Sequence, residues 1–302
     1  MNKYRKMIMD GLKERYPKCE ISIERVTKNN GYSYEAIAVK TDGDNTYETA
    51  LPCQLYEEAL ESGKMTLENI LDEMEERIKR KPVVNILQLL DYEQIKDNLC
   101  IRVINYERNK DILAEVPHQK YLDLAVVCYV LIQLPDEGVR ARMLVNHALL
   151  KLWNIRESKL MQTAIYNTFH IVRVRIRKMC EVMASLAKKE GLIIPEQMLD
   201  SIDEYMYVMD LNNGDGGAAC ILIKEAFKEL AERTGCDLYI IPSSVYELIV
   251  ILKRDDISDD SACIREIVQE VNRTEVDEED VLSDHVYLYQ RETNEIVDLC
   301  ES

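Results

Sequence analysis

The sequence has no long apolar run. The longest, from Leu124 to Ile132, is nine residues, well short of the roughly 20 residues that a membrane-spanning helix needs. The amino-terminal stretch MNKYRKMIMDGLKERYP alternates charged and apolar residues at helical spacing, and it lacks the apolar core of a signal peptide. These absences argue against a membrane-spanning helix and against signal-directed export. We therefore expect a soluble, cytoplasmic protein with no membrane partner.

The spacings typical of metal sites are also missing. The nine cysteines never form a CxxC or CxxH pair, and the chain has only four histidines. Because a structural zinc site needs clustered ligands, the sequence predicts no metal, and nothing in it implies a cofactor. An odd number of scattered cysteines in a chain of this length indicates free thiols in a reducing compartment.

Charge is distributed unevenly along the chain. The net charge is −17, and residues 255–302, with sixteen Asp and Glu against three Arg, carry −13 of it. Residues 139–178 instead hold nine Lys and Arg against Glu157 alone. Such asymmetry is informative about partners rather than about fold. The candidate basic surface comprises Arg140, Arg142, Arg173, Arg175 and Arg177.

This basic segment has the charge needed to contact nucleic-acid phosphates. An overall pI near 4.8 and the lack of aromatic residues among Arg173, Arg175 and Arg177 weaken that interpretation. The alternative is that the acidic carboxy-terminal tail compensates the charge, so we do not expect the full-length chain to bind nucleic acid. Arg173, Arg175 and Arg177 alternate with apolar residues, which suits an edge strand or an irregular helix start.

The order of periodic segments predicts an α+β fold in two lobes. A chain of 302 residues, 47% of them hydrophobic, is long enough for about two domains. Residues 1–82 are expected to form a small N-terminal α+β lobe, with a hairpin around Asn29-Asn30-Gly31 and a helix capped by Thr66. Residues 83–254 are expected to form a larger lobe with a mixed, mostly antiparallel sheet packed by helices. Residues 255–302 add an acidic extension with a helix and a hairpin.

Within the larger lobe, the patterns predict strands at 100–106, 122–132, 139–145, 205–211, 237–241 and 246–252. Helices are predicted near 85–96 and over 146–153 and 157–168. A further helix carries the apolar stripe Ile176, Met179, Met183 and Leu186 and ends at Gly191.

Gly214, Gly216 and Gly217 form a candidate ligand-binding loop. They belong to GDGGAA, which matches the G-x-G-x-x-A form of the dinucleotide-binding fingerprint between a predicted strand and a predicted helix. Against this, Asp215 places a negative charge in the loop, and the next strand ends without an acidic residue to hold a ribose. The alternative is a tight strand-to-helix turn in which Gly216 or Gly217 adopts a positive φ.

A polar corner between two apolar strands is the second candidate. In DLYIIPSSVYELIVI, the residues Ser243, Ser244 and Glu247 follow a proline. A serine nucleophile needs a base within reach, but the corner lacks the G-x-S-x-G pattern and has no histidine nearby in sequence. His118 and His147 are candidates that only the fold would bring to it. Serines after a proline more often satisfy backbone groups in a turn.

Several phrases of the sequence together resemble one family. They are VTKNNGYSYEAIAV, NYERNKDILAEVPH, LVNHALLKLWNI, YVMDLNN followed by GGAA, and DLYIIPSSVYELIVI. Over roughly residues 1–252 the chain is similar to domain-of-unknown-function family fifty-six eighty-eight, a group of uncharacterised proteins from gut clostridial bacteria. The resemblance implies a bacterial cytoplasmic protein and carries no established activity, cofactor or substrate.

One position departs from that family. Its corner usually reads Pro-Ser-Ser-Val-His-Glu, whereas this chain has Tyr246 between Val245 and Glu247. If the histidine is a general base in the family, this chain has lost it, because the phenol of tyrosine, with a pKa near 10, is a poor base at neutral pH. The corner is therefore predicted to be structural or ligand-binding rather than catalytic.

These observations favour a non-enzymatic binding or interaction module whose partner is a protein or a small molecule. The first alternative is a small-molecule or phosphate-binding enzyme that uses residues 212–217 and 242–247. The second is nucleic-acid binding through residues 139–178. A deep pocket that joins the loop and the corner would favour the enzyme.

Overall fold

A computed structural model of the chain describes residues 2–40, 48–79, 89–133, 140–171, 173–192, 194, 205–211, 216–242, 244–254 and 261–300. The chain divides into two units. Unit 1 comprises residues 1–89 and 133–141, and unit 2 comprises residues 90–132 and 142–302.

Unit 1 is built on a three-stranded antiparallel sheet. Its strands, in spatial order, are β1 (Glu20–Thr27), β2 (Ser33–Lys40) and β3 (Glu48–Pro52). The turn between β1 and β2 closes because Asn30 and Gly31 adopt left-handed conformations, with φ of 60° and 71°. Asparagine and glycine tolerate this region best. The predicted hairpin is confirmed.

Three helices share a core with this sheet: α1 (Lys3–Arg15), α2 (Cys53–Glu61) and α3 (Leu67–Lys79). Leu12 of α1 and Met74 of α3 are fully buried, as is Val39 of β2. The Thr66 hydroxyl caps α3 by accepting a hydrogen bond from the Asn69 N–H at 3.2 Å. The predicted cap is confirmed.

The first sheet of unit 2 is organised around β6 (Leu124–Gln133), which pairs with β4 (Leu99–Asn105), β5 (His118–Tyr121) and β7 (Arg140–Leu144). Successive side chains of a strand point to opposite faces. Ile101 and its neighbour Cys128 lie on the face covered by α7 (Glu157–Ile171), where the Cys128 sulfur is 3.2 Å from the Met161 sulfur. Arg102 therefore points to the opposite face.

The remaining helices of unit 2 are short to medium in length. In chain order they are α4 (Tyr92–Ile95), α5 (Lys110–Glu115), α6 (His147–Trp153), α8 (Met179–Glu190), α9 (Lys224–Thr234) and α10 (Ser261–Thr274). In the part of the chain that the structure describes, no helix has the length and apolar character required to cross a membrane.

The second sheet of unit 2 has six antiparallel strands in the order β13-β12-β10-β11-β9-β8. They are β8 (Val174–Lys178), β9 (Met206–Leu211), β10 (Asp237–Ile241), β11 (Leu248–Lys253), β12 (Tyr287–Gln290) and β13 (Glu295–Asp298). The last two strands form the predicted carboxy-terminal hairpin, which is confirmed, and β12 pairs directly with β10.

Residues 261–300 contribute to the core of this sheet. Val268 of α10 packs with Tyr239 of β10, and Leu282 is fully buried. The Asn105 side chain at the end of β4 donates a hydrogen bond to the Leu282 carbonyl at 3.0 Å. The acidic extension of the sequence thus supplies apolar side chains and backbone acceptors to the interior of unit 2.

The α+β fold predicted from the sequence is confirmed. One helix prediction is wrong in part, because residues 174–178 form the edge strand β8 and the helix begins only at Met179. Alternation with a period of two, together with pairing to β9, outweighs the apolar stripe there. The sequence did not indicate β3, α2, α5 or β5. The predicted hairpin loop at 134–138 lies outside the described residues, as do residues 85–88 of the predicted helix near 85–96. The described part of that segment contains the short helix α4 (Tyr92–Ile95).

Candidate functional site

The corner between β10 and β11 is a tightly bonded turn. Ser244 is buried, and its hydroxyl oxygen accepts a hydrogen bond from the Tyr246 N–H at 3.2 Å. Short-range bonds of this kind satisfy the backbone of a turn. Ser244 therefore has the turn-capping role that serines after a proline commonly take.

Residues 280–283 pair with the corner through backbone hydrogen bonds. The Val245 N–H donates to the Asp280 carbonyl, and the Ser283 N–H donates to the Pro242 carbonyl, each at 2.9 Å. Ser244 and Val281 form an antiparallel bridge between these two bonds. The corner is thus fixed on both sides by backbone pairing.

The glycine loop meets this corner directly. Gly216 has a φ of +67°, so the prediction that Gly216 or Gly217 adopts a positive φ is confirmed. A Cβ on Gly217 would lie 2.0 Å from the Tyr246 carbonyl oxygen and 3.1 Å from the Asp210 Cβ. The Ala218 N–H also donates to the Val245 carbonyl at 3.3 Å. Loop and corner are in backbone contact, with no room for a methyl group between them.

Arg102 of β4 faces both segments. Its Cγ would lie 3.2 Å from a Cβ on Gly216. Its guanidinium carbon is 5.8 Å from the centre of the Tyr246 ring, within the range of a cation–π contact. The Arg102 Nε is buried and has no hydrogen-bond partner among the described residues.

A second arginine lies on the same side of the first sheet. Burial and the nearby charge of Arg102 lower the pKa of Arg142. Cys100, two residues before Arg102 on β4, and Tyr129, which is opposite Cys100 on β6, complete this surface. We call these four residues, Cys100, Arg102, Tyr129 and Arg142, the arginine face.

The arginine face is substantially shielded from water. Burial raises the pKa of Cys100 to about 11, although both arginines oppose the shift. Burial also raises the pKa of Tyr129, again against the effect of Arg102 and Arg142. At neutral pH the face therefore presents a neutral thiol, a neutral phenol and two neighbouring positive charges.

Tyr246 and Asp280 form the rim of this face. Burial raises the pKa of Tyr246, and its hydrogen bond to Asp280 raises it further. Burial also raises the pKa of Asp280, whereas the hydrogen bond from Tyr246 and the charge of Arg102 lower it. Tyr246 is 40% exposed and its ring lies beside the Arg102 guanidinium, so it covers Arg102 only in part.

Asp210, at the end of β9, binds two members of the basic segment. The Arg175 Nε donates to one carboxylate oxygen at 2.7 Å, and Arg177 donates to the other. The Asp210 side chain is only 6% exposed. For these two arginines the compensating carboxylate thus belongs to a neighbouring strand rather than to the acidic tail.

The charge of the Asp210 carboxylate also affects the pKa of Glu247. Burial raises the pKa of Glu247, and the charge of Asp210 raises it further, while Arg177 opposes the shift. Glu247 consequently keeps its proton to a higher pH than an exposed glutamate does.

The other candidate residues are placed elsewhere or are not described. The His118 Nδ1 is 3.0 Å from the Val116 carbonyl, and its ring lies 5.9 Å from that of Tyr106. His147 is exposed at the start of α6, where Asn146 provides the cap. Arg173 is exposed beside β8. Gly214, Ser243 and the side chain of Arg140 lie outside the described residues.

Comparison with known proteins identifies the family. The sequence model of a family of unknown function, DUF5688, matches residues 1–291. The chain belongs to this family. No curated protein and no solved structure matches it. The DUF5688 match includes the loop, the corner and the arginine face, and it ends at residue 291, before β13 begins.

Several residues of the site were not predicted from the sequence. Arg102, Tyr129 and Asp280 carry no local motif, and only the pairing of β4 with β6 and the course of the chain after α10 bring them to the corner. Asp210 had a usable signal, since a lone acidic residue in the apolar strand YMYVMDL must find a cation or a hydrogen-bond donor when it is buried.

The close contact at Gly217 predicts an ordered series of stabilities. Gly217→Ala should destabilise unit 2 by about 1–3 kcal/mol or more, because the added methyl group overlaps the backbone of the corner. Gly191→Ala is the matched control for Gly216→Ala, since Gly191 also has a positive φ, +72°, but open space around it. It tests the cost of that conformation alone, about 1–2 kcal/mol.

Urea unfolding followed by the fluorescence of Trp153, the single tryptophan of the chain, reports on unit 2. Gly217→Ala should have the lowest midpoint and Gly216→Ala should lie near the control. A Gly217→Ala protein as stable as the unchanged chain would contradict the contact between loop and corner.

The raised pKa of Glu247 predicts a pH-dependent gain in stability on its neutralisation. Because the folded pKa exceeds the unfolded one, the stabilising contribution is fully present below the ordinary pKa of 4.5 and is lost as pH rises through the folded pKa. Glu247→Gln should therefore melt at a higher temperature than the unchanged chain at pH 8, and the gap should narrow toward acidic pH. Glu229→Gln, an exposed position on α9, is the control. A gap that widens as pH falls would contradict the assignment.

Proposed function

We propose that this DUF5688 protein is a binding module that takes a small anionic ligand, through a phosphate or carboxylate group, at the arginine face. The ligand contacts Arg102 and Arg142 on one side and the Tyr246 rim on the other. The sequence left two classes of partner open, a protein or a small molecule, and the proposal selects a small molecule.

One observation carries this proposal: two arginines are placed side by side in a partly desolvated position. Each positive charge raises the free energy of the other, and burial together with the charge of Arg102 lowers the pKa of Arg142. An anion relieves that repulsion and gains charge-assisted hydrogen bonds, which are roughly twice as strong as neutral ones.

The buried Arg102 Nε supports the same conclusion. A buried N–H without an acceptor costs about 1–3 kcal/mol, and no described residue accepts from this one. An oxygen of a bound anion would supply the acceptor. The cation–π contact with Tyr246 holds the guanidinium group in place for it.

Binding is favoured over catalysis by the state of the nearby nucleophiles. The Ser244 hydroxyl accepts from the Tyr246 N–H within the turn. The Cys100 thiol, with its pKa raised to about 11, stays protonated at neutral pH and is a poor nucleophile. Gly217 and the corner are in backbone contact, so the deep cleft expected for the enzyme alternative does not open between them.

The pairing of Arg175 and Arg177 with Asp210 weighs against nucleic-acid binding through the basic segment. Side chains that neutralise a buried carboxylate are not free to release counterions from a phosphate backbone. The anion site that we propose uses Arg142 from that segment together with Arg102 from another strand.

The proposal predicts an arginine-dependent anion affinity. We expect phosphate, pyrophosphate, a mononucleotide or a dicarboxylate to raise the melting temperature of the full chain and to bind measurably by calorimetry. Arg102→Gln and Arg142→Gln should each weaken the best of these ligands by roughly 10- to 100-fold, because each removes a hydrogen bond between charged groups.

Arg273→Gln is the matched control, because it removes the same charge from an exposed arginine paired with Glu270. Its affinity should equal that of the unchanged chain. Arg102→Lys keeps the charge but loses the forked donor geometry. Its anion affinity should therefore lie between that of Arg102→Gln and that of the unchanged chain. Equal weakening by Arg273→Gln, or no binding of any anion by the folded chain, would contradict the proposal.

A further inference from the structure

We propose that unit 2 carries a second, independent site, which binds a divalent transition-metal ion of the zinc type through His285, Asp298 and Cys300, with Asp123 as a further carboxylate ligand. The sequence predicted no metal site, because none of its cysteines and histidines has a recognised ligand spacing.

The donor atoms converge at one end of the β12–β13 hairpin. One ligand atom each from His285, Asp298 and Cys300 lies within 4.8 Å of the others. The His285 Nδ1 is 2.7 Å from an oxygen of Asp298 and 3.9 Å from an oxygen of Asp123. Three potential ligands therefore converge on one point, and Asp123 approaches the imidazole of His285 from another part of the chain.

The hairpin register explains this convergence. Tyr287 of β12 is paired with Asp298 of β13, and His285 lies two residues before Tyr287, hence on the same face. Cys300 follows Asp298 by two residues. The Cys300 N–H donates to the other Asp298 oxygen at 2.8 Å, which draws the chain end back toward the imidazole.

The carboxylates are oriented as metal ligands commonly are. The Ser283 hydroxyl donates to one oxygen of Asp123 at 2.6 Å, and the Tyr287 hydroxyl donates to the other. Outer hydrogen bonds of this kind fix ligating side chains and tune their affinity for the metal. Ser283 and Tyr287 are both fully buried, so this support is rigid.

The charge balance of the cluster favours a cation. The side chains of Asp298 and Asp123 are 3% and 12% exposed, and they approach the same imidazole. Hydrogen bonds lower the cost of burying these two carboxylates, and a nearby cation lowers it further. A divalent ion would do so.

The kind of donor selects the kind of metal. A thiol and an imidazole are ligands for zinc and related ions, whereas magnesium and calcium prefer oxygen alone. Ligand atoms around tetrahedral zinc are about 3.3–3.8 Å apart, from bond lengths of about 2.0–2.3 Å. Zinc would therefore replace the hydrogen bond between His285 and Asp298 with two metal bonds. The thiol proton would leave to solvent, and the neutral imidazole would bind through one ring nitrogen while the other carries its proton.

Cobalt spectroscopy on the full-length chain, first stripped of metal with a chelator, tests this site. Co²⁺ should bind with one-to-one stoichiometry and give both tetrahedral visible bands and a thiolate-to-cobalt charge-transfer band. Zn²⁺ should displace it and abolish both. Cys300→Ser, nearly isosteric, should lose the charge-transfer band, and His285→Gln should weaken Zn²⁺ by at least 10- to 100-fold.

Cys236→Ser is the matched control, since Cys236 is another partly exposed free cysteine of unit 2 and its replacement should leave the spectrum unchanged. Circular dichroism of each variant establishes that it is folded. A folded chain that binds no Co²⁺, or a charge-transfer band that survives Cys300→Ser, would overturn the proposal. So would Cys300 alkylation that Zn²⁺ does not slow, which would instead favour a thiol–imidazole–carboxylate nucleophile.

The proposals of anion binding at the arginine face and of metal binding at the hairpin can be rejected separately, because the two sites share no residue. Arg142→Gln should leave the cobalt spectrum intact, and Cys300→Ser should leave anion affinity intact.

Discussion

The contact between Gly217 and the Tyr246 carbonyl is the constraint on which the site depends. Because no side chain fits between them, the loop after β9 and the corner after β10 are held in direct backbone contact. This contact sets the position of Tyr246, whose ring lies over Arg102 and whose hydroxyl is hydrogen-bonded to Asp280. Glycine at position 217 is thus a packing requirement, while glycine at 216 is a conformational one.

Local features of the fold could be predicted from the sequence, because local chemistry decides them. Asn30-Gly31 closes the first hairpin, Thr66 caps α3, and continuous apolar runs mark the strands around the corner. The loop and the corner were each recognised from their own residues. Their meeting was not, because it depends on the sheet order, in which β11 lies between β9 and β10, and one sequence does not reveal sheet order.

The arginine face and the proposed metal cluster show two different limits of sequence reasoning. Arg102 on β4 and Arg142 on β7 become neighbours because both strands pair with β6. No spacing in the sequence predicts this pair. The hairpin cluster could have been found, because the predicted carboxy-terminal hairpin brings His285 close to Asp298 and Cys300 at one end. No motif of adjacent ligands marks this cluster, since pairing across a hairpin brings together residues that are distant in sequence.

A crystal structure of the full chain grown or soaked with an anion that scatters anomalously, such as selenate or tungstate, tests the central claim most directly. The account predicts an anomalous peak on the arginine face, within hydrogen-bond distance of the guanidinium groups of both Arg102 and Arg142, about 2.7–3.2 Å from nitrogen to oxygen. A structure in which both guanidinium groups are instead bound by carboxylates of the chain itself, with the anion absent from that face, would contradict it.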